Sequence, residues 1–146
     1  MTVPRVLIDT SVLVAVCDLG RPDVARACSE FIESRSDLCV STQVLREYAV
    51  VATRPVEMNG LGLSTADTLE NIRRLCEFAP LLSGGRSEHE MLVDLLEAHP
   101  VTGKRIHDAN LVATALAHGL AKIATLNVSD FEGFTDTVTL VDPTKG

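Results

Sequence analysis

Aromatic residues are nearly missing from this 146-residue chain, which has no Trp, one Tyr and four Phe. A surface that holds single strands by stacking bases on aromatic rings needs more of them, so that mode of binding is disfavoured. Long apolar runs are missing too. No window approaches the roughly 20 uninterrupted apolar residues of a membrane helix, and Met1-Thr2-Val3-Pro4-Arg5 lacks the charged-then-apolar layout of a secretory signal. The expectation is a cytoplasmic protein without membrane association. Basic residues are in deficit: 13 Lys and Arg stand against 20 Asp and Glu, a net charge of −7. Non-specific nucleic-acid binders carry a basic surface, so any phosphate contact here falls to a few local cations. Four cysteines, Cys17, Cys28, Cys39 and Cys76, form no C-x-x-C pair. That spacing argues against a thiolate zinc cluster or a thioredoxin-type site and reads as core thiols acting as small hydrophobes.

What is present is an ordinary globular composition, 46% apolar and 23% charged, at a length that suits one domain over residues 1–146 with a sizeable core. Short apolar runs alternate with helical patterns. Residues 5–9 read as a strand and 11–17 as a short apolar helix capped by Thr10 or Ser11. Pro22 opens an amphipathic helix over 22–34. Residues 38–40 read as a brief strand. A helix over 42–53, capped by Ser41 or Thr42, stops before Pro55. Ser64 caps 65–77, and 78–82 is a third strand candidate. Further helices are predicted over 88–99 and 107–118, the latter ended by Gly119 in the C-cap manner. Strands over 121–126 and 138–141 enclose a turn or short helix at 127–134. The alternation predicts one α/β domain with a mostly parallel sheet.

The chemistry gathers around Val6-Leu7-Ile8-Asp9-Thr10-Ser11. An apolar run delivers a carboxylate to the end of a strand, and the carboxyl ends of strands are where open α/β sheets bind ligands. Further acids fall at suggestive places. Glu47 shares a helix face with Val44 and Val51; read alone, it also fits a side chain at the stripe's edge with its head in water. Asp108 lies in the first turn of its helix, where an acid also complements the helix dipole. Asn127 and Asp130 follow a strand, where both also fit a turn built on local backbone bonds. Together these are oxygen ligands suited, with water, to Mg²⁺ or Mn²⁺. Such ions activate water and stabilise in-line displacement at phosphorus.

Four motifs carry a family resemblance: Ile8-Asp9-Thr10-Ser11, Gln43-Val44-Leu45-Arg46-Glu47, the run His107-Asp108 through His118-Gly119, and Ala124-Thr125-Leu126-Asn127-Val128-Ser129-Asp130-Phe131. In order and over the whole length, the chain resembles a PIN-domain ribonuclease, more narrowly a VapC-type toxin of bacterial toxin–antitoxin pairs. The resemblance implies a PIN-like three-layer α/β/α sandwich with a mostly parallel five-stranded sheet. It also implies a Mg²⁺- or Mn²⁺-dependent endoribonuclease acting on a structured cellular RNA, a homodimer, and neutralisation by a cognate VapB-type antitoxin. Asp9 and Asp108 would be the main metal ligands, with Glu47 completing the pocket directly or through water. Many members have Asp at the position of Asn127, so the fourth ligand falls to Asn127 or Asp130. Thr10 or Ser11 would hydrogen-bond a metal-bound water or a carboxylate, or serve only as a helix cap. Lys104 and Arg105, and less directly Arg54, Arg73 and Arg74, are candidates for RNA phosphates.

Two other classes compete. A phosphatase using Asp9 as nucleophile would need a second Asp two residues on, where this chain has Ser11; a receiver domain would need an acidic pair near the first strand, and none is visible. A catalytically inactive PIN-fold binding module would not need Asp9, Glu47 and Asp108 together.

Overall fold

In the computed structural model, which describes residues 3–145, Val6–Ile8 form strand β1 with all three side chains fully buried. A strand covered on both faces reads as a continuous apolar run rather than an alternation, and Val-Leu-Ile is such a run. β1 pairs in parallel with β2 (Leu38–Cys39) on one side and with β3 (Lys122–Ala124) on the other. β3 in turn pairs in parallel with β4 (Thr139–Val141), giving the order β2-β1-β3-β4.

Parallel neighbours need crossover connections, and helices supply them. α1 (Thr10–Val16) and α2 (Pro22–Ser34) lead from β1 to β2. α3 (Thr42–Thr53), α4 (Thr65–Phe78), α5 (Arg86–Ala98) and α6 (Arg105–Ala117) lead from β2 to β3. A 3₁₀ segment, Val128–Phe134, leads to β4 and buries Phe131 and Phe134. This is the expected α/β architecture, a parallel sheet flanked by helices.

Among the described residues the sheet has four strands where five were expected. Phe78 completes α4, and of the predicted third strand only Leu81 bridges Val40. Val40 N–H donates to Pro80 O and Leu82 N–H to Val40 O. Pro80 has no N–H to extend a ladder, and the chain turns at Ser83-Gly84-Gly85 into α5.

A second correction concerns α1. Asp9, not Thr10 or Ser11, holds the N-cap position, and its side chain makes no capping bond to the helix. The other caps follow expectation: Ser41 accepts from Val44 N–H (3.3 Å) and Ser64 from Asp67 N–H (3.0 Å). All four cysteines are free. Burial pushes the Cys39 thiol up to about 12, which makes it unreactive. Among the described residues, no helix is long and apolar enough to cross a membrane.

Candidate active site

The strand order places a crevice beside Asp9. From β1 the chain passes to β2 on one side, whereas β3 lies on the other, and ligands of open α/β sheets bind at such switch points, beyond the carboxyl ends of the strands. Asp9 leaves β1 there, with its N–H donating to Ala124 O of β3 (2.8 Å). Two hydroxyls then fix its side chain. Ser11 Oγ and Thr125 Oγ1 each donate to Asp9 Oδ2 at 2.8 Å. Both hydroxyls are themselves oriented, because Ser11 Oγ accepts from Leu126 N–H and Thr125 Oγ1 from Asn127 N–H, each at 3.0 Å. Among the described residues, Asp9 Oδ1 receives no such bond.

Glu47 is held in the same one-sided way. Its Oε1 accepts from Thr10 Oγ1 (3.2 Å) and from Gln43 Nε2, one turn earlier on α3 (3.3 Å). Half-buried Glu47 thus faces the β1–α1 junction rather than sitting in water at the edge of an apolar stripe.

Asp108, in the first turn of α6, completes the convergence. Burial, followed by the charges of Asp130, Asp9 and Glu47, pushes its carboxyl up to about 6, against a smaller lowering by Arg105. All four acids line one open pocket of about 360 Å³, together with Asn127, Ser11, Gln43 and Arg21. Asp130 is the first of the three acids raising Asp108, whereas Asn127 contributes a neutral carboxamide to the lining.

The structure therefore brings together every acid singled out from the sequence. Of the predicted cations, Arg105 is near enough to influence Asp108, and exposed Lys104 precedes it at the start of α6. Arg73 and Arg74 lie elsewhere, on α4, both paired with Glu70. Arg54 caps the C-terminus of α3 and, like them, is not among the residues lining the acidic pocket. Sequence reasoning missed Arg21, which lines the pocket while bonded to Asp18 (2.9 Å). It also assigned no role to Thr125 or Gln43, polar side chains buried at 0% and 7% exposure. Their signal was present but faint: a Thr directly after an apolar strand, and a Gln on the face of Glu47.

Burial and clustered like charges that raise the cost of ionising Asp108 invite a compensating cation. The donor set fits a hard divalent ion: all-oxygen ligands, with one oxygen of Asp9 and one of Glu47 anchored and the other free. Among the described residues, no three His, Cys, Asp or Glu side chains form a ready-made cage. An open acidic pocket suits Mg²⁺ or Mn²⁺, which keep several waters when bound. A second pocket of about 250 Å³ between α1, α2, α3 and α4 is lined mainly by apolar groups such as Leu13, Ile32, Ile72 and Phe78, and it lacks any comparable set of acids.

A parallel α/β sheet with acids converging at the carboxyl ends of its central strands defines a class, and comparison with known proteins agrees. The PIN domain family model matches residues 6–132. Ribonuclease VapC24 of Mycobacterium tuberculosis is 32% identical over 138 residues, 88% of each chain. Among solved structures, FitAcB from Neisseria gonorrhoeae aligns with a TM-score of 0.67 at 18% identity, over 97% of this chain and 99% of that one. VapBC-1 from nontypeable Haemophilus influenzae aligns at 0.64 and 18% identity, over 96% and 98%. A DNA-bound VapBC from Salmonella typhimurium aligns at 0.67 and 16%, again over 96% and 98%. The chain belongs to the PIN-domain family, in its VapC group.

Proposed function

We propose that this chain, as a single PIN domain, is a cytoplasmic, divalent-metal-dependent endoribonuclease and the toxin of a VapBC-type toxin–antitoxin pair. Its substrate in this reading is a structured cellular RNA, cut by hydrolysis of a phosphodiester bond. The observation that carries the reading is the meeting of Asp9, Glu47, Asp108 and Asp130, from four separate segments, in one pocket where burial and then the charges of the other three raise Asp108 to about 6. The ribonuclease relative supports the activity, and the VapBC likeness supports an antitoxin partner. A homodimer belongs to the same proposal, by family resemblance.

Asp9 and Asp108 would hold Mg²⁺ or Mn²⁺, with Glu47, Asp130 and Asn127 around them. Once bound, the ion supplies Lewis-acid activation of water and neutralises charge at phosphorus. The protein's own part is positional. Ser11 and Thr125 keep Asp9 facing the pocket by one oxygen, and Thr10 and Gln43 do the same for Glu47. Arg21 and Arg105 place positive charge where RNA phosphates would approach, which a net charge of −7 leaves to local side chains.

Asp9→Asn tests this reading. Removing the charge of a principal ligand should lower RNA cleavage by more than about 100-fold and weaken Mn²⁺ binding in calorimetry, with the circular dichroism spectrum unchanged. Full cleavage by Asp9→Asn sinks the assignment.

A further inference from the structure

Gln43 is a buried carboxamide in an acidic pocket, and both ends of it bond to the site's framework. Its Nε2 donates to His107 O (2.9 Å), the carbonyl one residue before Asp108, and to Glu47 Oε1 (3.3 Å). Its Oε1 accepts from Asn110 Nδ2 (2.6 Å), on the same first turns of α6. A carbonyl oxygen only accepts, so His107 O fixes which end of the carboxamide faces it. The side chain thus has a single orientation, joining the helix that bears Glu47 to the helix that bears Asp108.

We propose that Gln43 is a positioning residue. Its carboxamide, oriented by Asn110, sets Glu47 of α3 against Asp108 of α6 and thereby fixes the spacing of the acids that receive the divalent cation. The inference rests on the metal-dependent reading above and adds a residue pair to it. Apolar side chains pack α3 into the fold whatever Glu47 does, but they do not orient a carboxylate. Gln43 does so by occupying Glu47 Oε1 together with Thr10, while Glu47 lines the pocket. Asn110 acts one step further out, by holding Gln43 Oε1. A neutral amide also suits this place because it donates to a carboxylate without adding a further negative charge to a pocket already crowded with them.

The test is a double-mutant cycle read by Mn²⁺ titration calorimetry on the full chain, with thermal melting in chelator to report folding. Gln43→Met keeps the side chain's length and removes its hydrogen bonds. It should weaken Mn²⁺ binding by about 10-fold, the lower end for groups that orient metal ligands. In the Glu47→Gln background the same change should have an effect near onefold, because the carboxylate through which Gln43 acts is gone. A role confined to packing gives equal losses in both backgrounds, which overturns the proposal, as does undiminished affinity in Gln43→Met alone. Should Gln43→Met melt too low to titrate, Asn110→Ala leaves Gln43 in place on His107 O but removes the bond that holds its Oε1. It should show the same dependence on Glu47 with a smaller loss, and additive losses overturn the proposal there too. If the native protein binds no Mn²⁺, the nuclease reading fails and takes this inference with it. If the native protein binds Mn²⁺ and Asp9→Asn loses it while Gln43→Met does not, this inference alone fails.

Discussion

The charge of Asp108 is opposed by its surroundings. Burial and the neighbouring acids Asp130, Asp9 and Glu47 lift it from 3.8 to about 6. The folded protein therefore holds this proton more tightly than the unfolded chain does. Its stabilising contribution is fully present below about pH 3.8 and is lost as pH rises through about 6. In chelator, then, this group should make the protein more stable at pH 5 than at pH 7. Asp108→Asn should stabilise the metal-free protein at pH 7 by about 1 kcal/mol, the ~3 kcal/mol that a rise to about 6 implies being discounted for partial exposure. Urea denaturation measures it, and destabilisation at pH 7 would contradict the electrostatic account. Cation binding needs the ionised form, so Mn²⁺ affinity should fall as pH drops below about 6. Asp9 also illustrates how far a residue can be read alone. Its place at a strand end was legible, and Ser11 two residues on disfavoured a phosphatase. That Ser11 and Thr125 share one of its oxygens depends on a contact 114 residues apart in sequence, beyond any local pattern.

At the scale of elements, punctuation was more readable than pairing. Ser41 and Ser64 cap α3 and α4, and Pro22 begins α2 at its first residue. Each effect is local, since a cap or a proline acts on the backbone within a few residues. Ser41→Ala should cost about 1 kcal/mol by thermal or chemical unfolding. Because the same helix carries Gln43 and Glu47, fraying of its first turn should also weaken cleavage. Gly119 closes α6 at φ +70°, a left-handed conformation that glycine adopts without strain. The predicted third strand failed because a ladder requires a partner as well as a propensity. Pro80 cannot donate, and a single bridge between Val40 and Leu81 is all that forms. The cap of α1 was misread for a related reason. Thr10 and Ser11 are good capping residues, but the site takes their hydroxyls: Thr10 donates to Glu47 and Ser11 to Asp9.

For the whole molecule, the proposed cation at the four acids would make metal binding and stability one quantity. A cation that binds only the folded chain stabilises it by mass action, about 2.7 kcal/mol at a hundred times Kd. For a chain of this size that raises Tm by roughly 5–10 °C. Saturating Mn²⁺ should shift the melt of the native protein by about that much and leave Asp9→Asn unmoved. No shift in the native protein would argue against a resident cation. The net charge of −7 belongs to this scale as well. It reads at first as a poor omen for an RNA-binding protein, yet part of it is concentrated in the pocket.

The sequence by itself determined the alternation of strands and helices, the starts of α2, α3 and α4, and the placement of Asp9 and Asp108 at segment boundaries, because apolar period and backbone chemistry act over a few residues. The motifs, in their order along the chain, carried the family resemblance. Only the tertiary structure decided that the sheet stops at four strands and that Asp130 leads the charges acting on Asp108. It alone brought Thr125 to Asp9 and Gln43 to His107. Those contacts join segments 64 to 116 residues apart, and hydrogen bonds across such separations exist only once parallel strands and crossover helices have been packed.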